Sequence, residues 1–137
     1  MAKRIWVERT SDTTFEAHSS TGASITFGYG DDLFSPGDFV KIAAAGCAVS
    51  SSRFPVDHTV GSDAPLSADI DATYDKDEDR FTAFSESITV DASSSDLSDA
   101  DAETLAKRVR AYIEKQCTVA HTYRQATPVT ISVTVKR

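Results

Sequence analysis

The stretch that most constrains this chain is Phe39-Val40-Lys41-Ile42-Ala43-Ala44-Ala45-Gly46-Cys47-Ala48-Val49-Ser50-Ser51-Ser52, in which Lys41 is the single charged residue. Immediately before it stands Ser35-Pro36-Gly37-Asp38. A serine at the N-cap, a proline at the first helical position and a carboxylate three residues after the cap together specify a helix start. The helix is expected to run to about Ser52, before Pro55. Because it is apolar on nearly every side, it must be buried on nearly every side. A chain of 137 residues has little material with which to surround such a helix, so a second copy of the chain is expected to complete its burial.

The other elements follow from periodicity. Residues 5–9, 13–18 and 24–27 are rich in β-branched and aromatic side chains, with a turn signal at Thr21-Gly22, and predict a three-stranded meander. Residues 66–74 and 81–91 alternate polar with apolar around an acidic turn at 75–80. Ser98-Asp99-Ala100-Asp101 repeats the capping pattern and opens a second helix with Leu105, Val109, Tyr112 and Ile113 on one stripe, which Cys117 continues. Residues 128–135, Pro-Val-Thr-Ile-Ser-Val-Thr-Val, predict a closing strand. The order βββ-α-ββ-α-β is an α+β fold with the long apolar helix packed against sheet, and the length fits one domain over 1–137.

Charge narrows the function classes. A formal net charge of −7 argues against a nucleic-acid partner, whose phosphates must be neutralised by Lys and Arg. No run approaches the roughly 18 apolar residues that span a bilayer, and Met1-Ala2-Lys3-Arg4-Ile5-Trp6 is not followed by the apolar segment of a secretory signal. A cytoplasmic protein without membrane contact is expected. There a thiol pair is more often catalytic or redox-sensing than a permanent disulfide. Gly28-Tyr29-Gly30 lacks the later glycine of a dinucleotide loop, no Cys-x-x-Cys occurs, and His18, His58 and His121 are too dispersed for metal-ligand spacing. Neither a metal nor an organic cofactor is expected.

What remains is the cysteines. Cys47 and Cys117 are the two thiols of the chain, seventy positions apart, each at the end of an apolar helical run. Residue types alone leave two readings open: two small buried hydrophobes, or a dithiol that cycles to a disulfide. For redox use the attacking sulfur must be a thiolate, which requires a cation, a hydrogen-bond donor or a helix N-terminus nearby. Cys47 lies about three turns inside its helix, too far from the start for the dipole to act. His121, four residues after Cys117, is one candidate partner; Arg9, Arg53 and Arg124 are others.

Two segments carry a family resemblance. Residues 34–47, from Phe34-Ser35-Pro36 to Gly46-Cys47, resemble the first cysteine block of the OsmC/Ohr family, in which a helix-starting proline precedes the reactive cysteine by eleven residues. Cys117-Thr118-Val119-Ala120-His121-Thr122 resembles the second block, ahead of the final strand. With the element order in register, the resemblance extends over essentially the whole chain. It implies an OsmC-like fold, an intertwined homodimer around two long central helices, and thiol peroxidase chemistry on organic (lipid or alkyl) hydroperoxides. By that likeness Cys47 is the attacking thiolate, Cys117 resolves its sulfenic acid to an intramolecular disulfide, and an external dithiol reductant reopens it. Apolar walls from Phe39, Val40 and Ile42, or from the partner subunit, would favour apolar peroxides.

The chain departs from the family pattern at three places. Gly37 stands where peroxidases of the family carry Glu, with Asp38 following it; the early strand holds His18 but no Arg; and Thr118 replaces a proline. Asp38, His18, Arg53 and His121 are therefore the candidate supporting residues. The alternative function these departures sustain is a weakly active or non-catalytic protein that binds an apolar ligand at the dimer interface.

Overall fold

The chain folds as three strands, a long helix, a two-stranded hairpin and two further helices, in the order β1 (Ile5–Arg9), β2 (Thr14–Ser19), β3 (Ser24–Gly28), α1 (Pro36–Thr59), β4 (Leu66–Asp75), β5 (Arg80–Val90), α2 (Asp99–Gln116) and α3 (Thr118–Tyr123). The computed structural model describes residues 2–136. It is an α+β structure, as the periodicity predicts. Two compact units are present, one formed by Met1–Ala43 with Asp71–Phe84, the other by Ala44–Ile70 with Ser85–Arg137.

In the first unit β1, β2 and β3 form an antiparallel meander in sequence order. Its register pairs Trp6 with His18, Val7 with Ala17, and Phe15 with Phe27. Alternation then places Phe15 and Phe27 on one face, where their rings stack 5.6 Å apart and Phe39 meets Phe27 edge-on at 5.2 Å. These contacts hold the first turns of α1 on the sheet. The capping box expected from sequence is formed: Asp38 N donates to Ser35 Oγ at 3.2 Å, and Ser35 N donates to an Asp38 carboxylate oxygen at 2.9 Å. Gly28 is required where it stands, because a Cβ there would collide with the carbonyl oxygen of Thr13.

The second unit is built on the later part of α1 and on α2. Val56 from α1 packs with Leu105 and Val109 from α2, and Ile88 and Val90 of β5 close over them. The hairpin runs antiparallel: Asp91 N donates to Pro65 O, and Thr82 Oγ1 to Thr73 O. Ser98 caps α2 by accepting from Asp101 N at 3.1 Å.

Four details differ from the sequence expectation. First, α1 does not stop near Ser52 but continues through Pro55 to Thr59. A proline inside a helix costs about 3 kcal/mol, but Pro55 and the fully buried Val56 sit in the core, and that burial offsets it. Second, α1 is buried along one stripe, Ala44, Ala48, Ser52, Pro55 and Val56, while Ile42 and Phe54 are exposed. A small-residue helix has one side against its own chain's core and another left open. Third, Cys117 does not continue α2; the chain breaks there in an extended conformation, and α3 follows at once. Fourth, residues 128–135 adopt no strand pairing among the described residues, and Val129, Ile131, Val133 and Val135 are all about four-fifths exposed, from 78% to 84%. The alternating pattern is a strand pattern, but a strand needs an edge to pair with.

Candidate active site

The second unit brings the two cysteines together. Cys47 is a mid-helix residue of α1 and half-buried; Cys117, at 1% exposure, is buried at the junction between α2 and α3. Both are free thiols, and the Cys117 side chain hydrogen-bonds the sulfur of Cys47. Cys117 also serves both helices that meet at it. Its N–H donates to Ile113 O, closing α2, and its sulfur accepts from Ala120 N at 3.5 Å, opening α3. A residue acting as end cap and start cap at once cannot move far, so the buried sulfur has a fixed position.

The break at Cys117 also supplies the donors around Cys47. Burial pushes the Cys47 thiol up. Against it act the Cys117 side chain, the backbone N–H of Val119, the Ser51 hydroxyl and the backbone N–H of Thr118, and the balance lowers its pKa below that of an ordinary thiol. Cys117 is shifted the other way. Burial raises it most, holding the hydrogen bond to Cys47 raises it further, and the negative charges of Cys47 and of Glu86 on β5 oppose its ionisation, while the Ala120 N–H works in the opposite direction. The pair is thus polarised, with the acidity of the more exposed sulfur raised and that of the buried sulfur lowered.

The four supporting candidates make their contacts elsewhere. Asp38 is occupied by the capping box, where the Ser35 N–H, more than the partial burial that opposes it, holds its carboxyl below the usual range. His18 stacks on Trp6 at 5.4 Å, with Nε2 at 3.3 Å from Glu16 and 3.7 Å from Glu8. Arg53 is exposed and donates to Ser50 O on its own helix, and His121 Nε2 lies 2.8 Å from Glu114 O, tying α3 to α2. Asp38 and His18 belong to the first unit; Arg53 and His121 belong to the second, with the thiols.

Apart from Cys117, the groups that reach Cys47 escaped the sequence reading. Ser51 was legible, since a residue four positions on shares a helix face with Cys47. The Thr118 and Val119 amides were not, because they become donors only when the chain breaks at Cys117. Among the described residues no group of three or more His, Cys, Asp or Glu is placed to hold a metal ion, and no helix is long and apolar enough to cross a membrane.

The chain and its fold have relatives among known proteins. The family model described as OsmC-like protein matches residues 29–132, which include both cysteines and every helix. The chain belongs to the OsmC-like family. Uncharacterized proteins of Mycobacterium tuberculosis and Mycobacterium bovis are each 30% identical over 132 residues, covering 95% of this chain and 95% of theirs. Among solved OsmC-like structures, a putative osmotic stress induced and detoxification response protein of Psychrobacter arcticus superposes with a TM-score of 0.65 at 17% identity, covering 86% of this chain and 85% of that one. The organic hydroperoxide resistance protein OhrB of Bacillus subtilis has a TM-score of 0.54 at 14% identity, with 89% and 90% coverage. At such identities the structural likeness establishes the OsmC-like fold.

Proposed function

We propose that this OsmC-like protein is a thiol-dependent peroxidase that reduces organic hydroperoxides in the cytoplasm. The observation that carries the reading is the polarised Cys47–Cys117 pair, whose pKa values move in opposite directions. The Cys47 thiolate attacks the distal oxygen of R–O–O–H; the sulfur–oxygen bond forms, the O–O bond breaks, and the alkoxide takes a proton and leaves as R–OH. Cys117 then attacks the Cys47 sulfenic acid, the S–S bond forms, and the hydroxyl departs as water with one more proton. An external dithiol, oxidised in turn to its own disulfide, returns both cysteines to thiols. No metal or organic cofactor takes part. The partial exposure of Cys47 suits the attacking role, and the burial of Cys117 suits the resolving one.

The working form in this reading is a homodimer. Two apolar surfaces of the chain are uncovered: the 128–135 segment, and Ile5, Val7 and Ile25 on the meander face that also carries Phe15 and Phe27. Exposed strand-forming residues of this kind are removed from water by pairing with another chain. The open side of α1 at Ile42 adds to the same requirement.

The test is to mix reduced protein with cumene hydroperoxide or hydrogen peroxide and count thiols over time. Loss of both thiols of each chain, faster with the organic peroxide and abolished in Cys47→Ser, is expected. Loss no faster than that of free cysteine sinks the reading and leaves apolar-ligand binding as the alternative.

A further inference from the structure

One side chain spans the break at Cys117. The last backbone bond of α2 runs from Cys117 N to Ile113 O, and the next carbonyl, that of Glu114, is met by a side chain: His121 Nε2 lies 2.8 Å from it. A carbonyl can only accept, so Nε2 carries the hydrogen and His121 is the donor. A histidine bonded to a last-turn carbonyl is a favourable end for a helix. The backbone of the same residue binds on the other side of the break, where His121 N donates to Cys117 O at 3.1 Å and begins the ladder of α3. His121 therefore grips the end of α2 with its ring and the start of α3 with its main chain.

What this staple holds is the segment that faces Cys47. α3 has 6 residues, and none of its side chains is buried. A helix so short has little stability of its own, so its place depends on ties to its neighbours. Its opening amides all go to sulfur: Thr118 N and Val119 N to Cys47, and Ala120 N to Cys117 at 3.5 Å. Hydrogen bonds weaken steeply as donor and acceptor lose alignment. A small rotation of α3 would withdraw both amides from Cys47 and leave its thiolate less well solvated.

We propose that His121 is a positioning residue for Cys47: its hydrogen bond to the Glu114 carbonyl fixes α3 against the end of α2 and so keeps the Thr118 and Val119 amides aimed at the attacking sulfur. That this sulfur is the attacker rests on the peroxidase reading; the placing of α3 does not. His121 is not itself among the groups that act on Cys47, which are Cys117, Ser51 and the two amides. It works through the backbone between them, and the chemistry stays with the sulfurs.

Three substitutions in the reduced full-length protein separate the donor from the ring. His121→Ala removes both, His121→Phe keeps a ring without a donor, and His121→Gln restores an N–H at the reach of Nε2. Cys47 is read by iodoacetamide labelling against pH, with the labelled peptide identified by mass spectrometry. In His121→Ala and His121→Phe the Cys47 midpoint should rise by about half a pH unit, a threefold loss of labelling rate at a fixed pH below it. His121→Gln should stay near wild type. A histidine that only supports the fold would lower Tm in the first two variants and leave the midpoint in place; that result, or an equal rise in all three, overturns the proposal. In a second measurement the amide resonances of Thr118 and Val119 are followed by NMR through the same titration. They should move with the ionisation of Cys47 in wild type and His121→Gln, and move less in His121→Phe; an undiminished response in His121→Phe overturns the proposal. Neither measurement needs a peroxide, so a wild type that consumes none would overturn only the peroxidase reading, and the labelling would still decide the role of His121.

Discussion

The Cys117 side chain, at the junction between α2 and α3, hydrogen-bonds the sulfur of Cys47 on α1, and this contact lowers the pKa of Cys47 and raises that of Cys117. The asymmetry comes from hydrogen bonds rather than from a charged side chain beside Cys47. No arginine or histidine is among the groups that lower the Cys47 pKa; the donors are the partner thiol, a serine hydroxyl and two amides of the first turn of α3. Amide and hydroxyl donors stabilise a thiolate much as a cation does, but their position depends on the exact path of the chain.

Removing the partner thiol should therefore change the acidity of the one that remains. In Cys117→Ala the Cys47 sulfur loses the first of its lowering contacts, and its pKa should rise. The measurement is the pH dependence of iodoacetamide labelling at Cys47. The wild-type midpoint lies below that of an ordinary cysteine, so labelling persists at lower pH, and the variant's midpoint should move up. If the two midpoints coincide, the hydrogen bond between the thiols has no role in activating Cys47.

The capping box gives a stability prediction separate from the chemistry. Replacing Ser35 by Ala removes the acceptor for Asp38 N and should cost about 1 kcal/mol, read as a lowered Tm. Asp38 should reveal itself through pH. The Ser35 N–H holds its folded pKa below the ordinary carboxylate value, so its contribution is fully present above the unfolded pKa and is lost as pH falls through the folded one. Asp38→Asn should be less stable than wild type near neutral pH, and the difference should shrink in acid below about pH 4. A pH-independent difference would show that the carboxylate charge does not matter to the cap.

Val56 tests the packing that carries α1 past Pro55. It is fully buried against Leu105 and Val109. Val56→Ala should lower unfolding free energy by about 2 kcal/mol, from lost transfer energy plus a partly collapsed cavity. Denaturant unfolding monitored by circular dichroism reads this directly, and a loss under about 0.5 kcal/mol would contradict the burial.

Oligomeric state can be read from the chain's end. Ile131 and Val133 share one side of the alternating pattern in 128–135 and are about 80% exposed. If this segment pairs across a dimer, the double substitution Ile131→Lys and Val133→Lys should shift the protein from dimer to monomer by light scattering, since a charged face opposes burial. A monomeric wild type, or a dimer indifferent to the two lysines, would remove this segment from the interface.

The sequence by itself determined whatever depends on neighbours a few positions away. Ser35, Pro36 and Asp38 set the start of α1, and Ser98 and Asp101 set that of α2, because capping is a local hydrogen-bond exchange. Alternation in the β4–β5 hairpin and the Leu105–Val109 stripe were legible for the same reason, and residues 34–47 and 117–122 carried the family likeness. Only the tertiary structure decided the rest. Pro55 remains helical because Val56 beside it reaches a core assembled from α2 and β5, which outweighs the local preference. The 128–135 segment has the right alternation yet no pairing in the chain, since pairing requires an edge that pattern cannot supply. The groups that lower the Cys47 pKa were sought among charged side chains, but besides Cys117 and Ser51 they are two backbone amides. Any residue except proline carries an N–H, so nothing in the letters at 118 and 119 marks them as donors; the fold does, by ending one helix and starting another at Cys117.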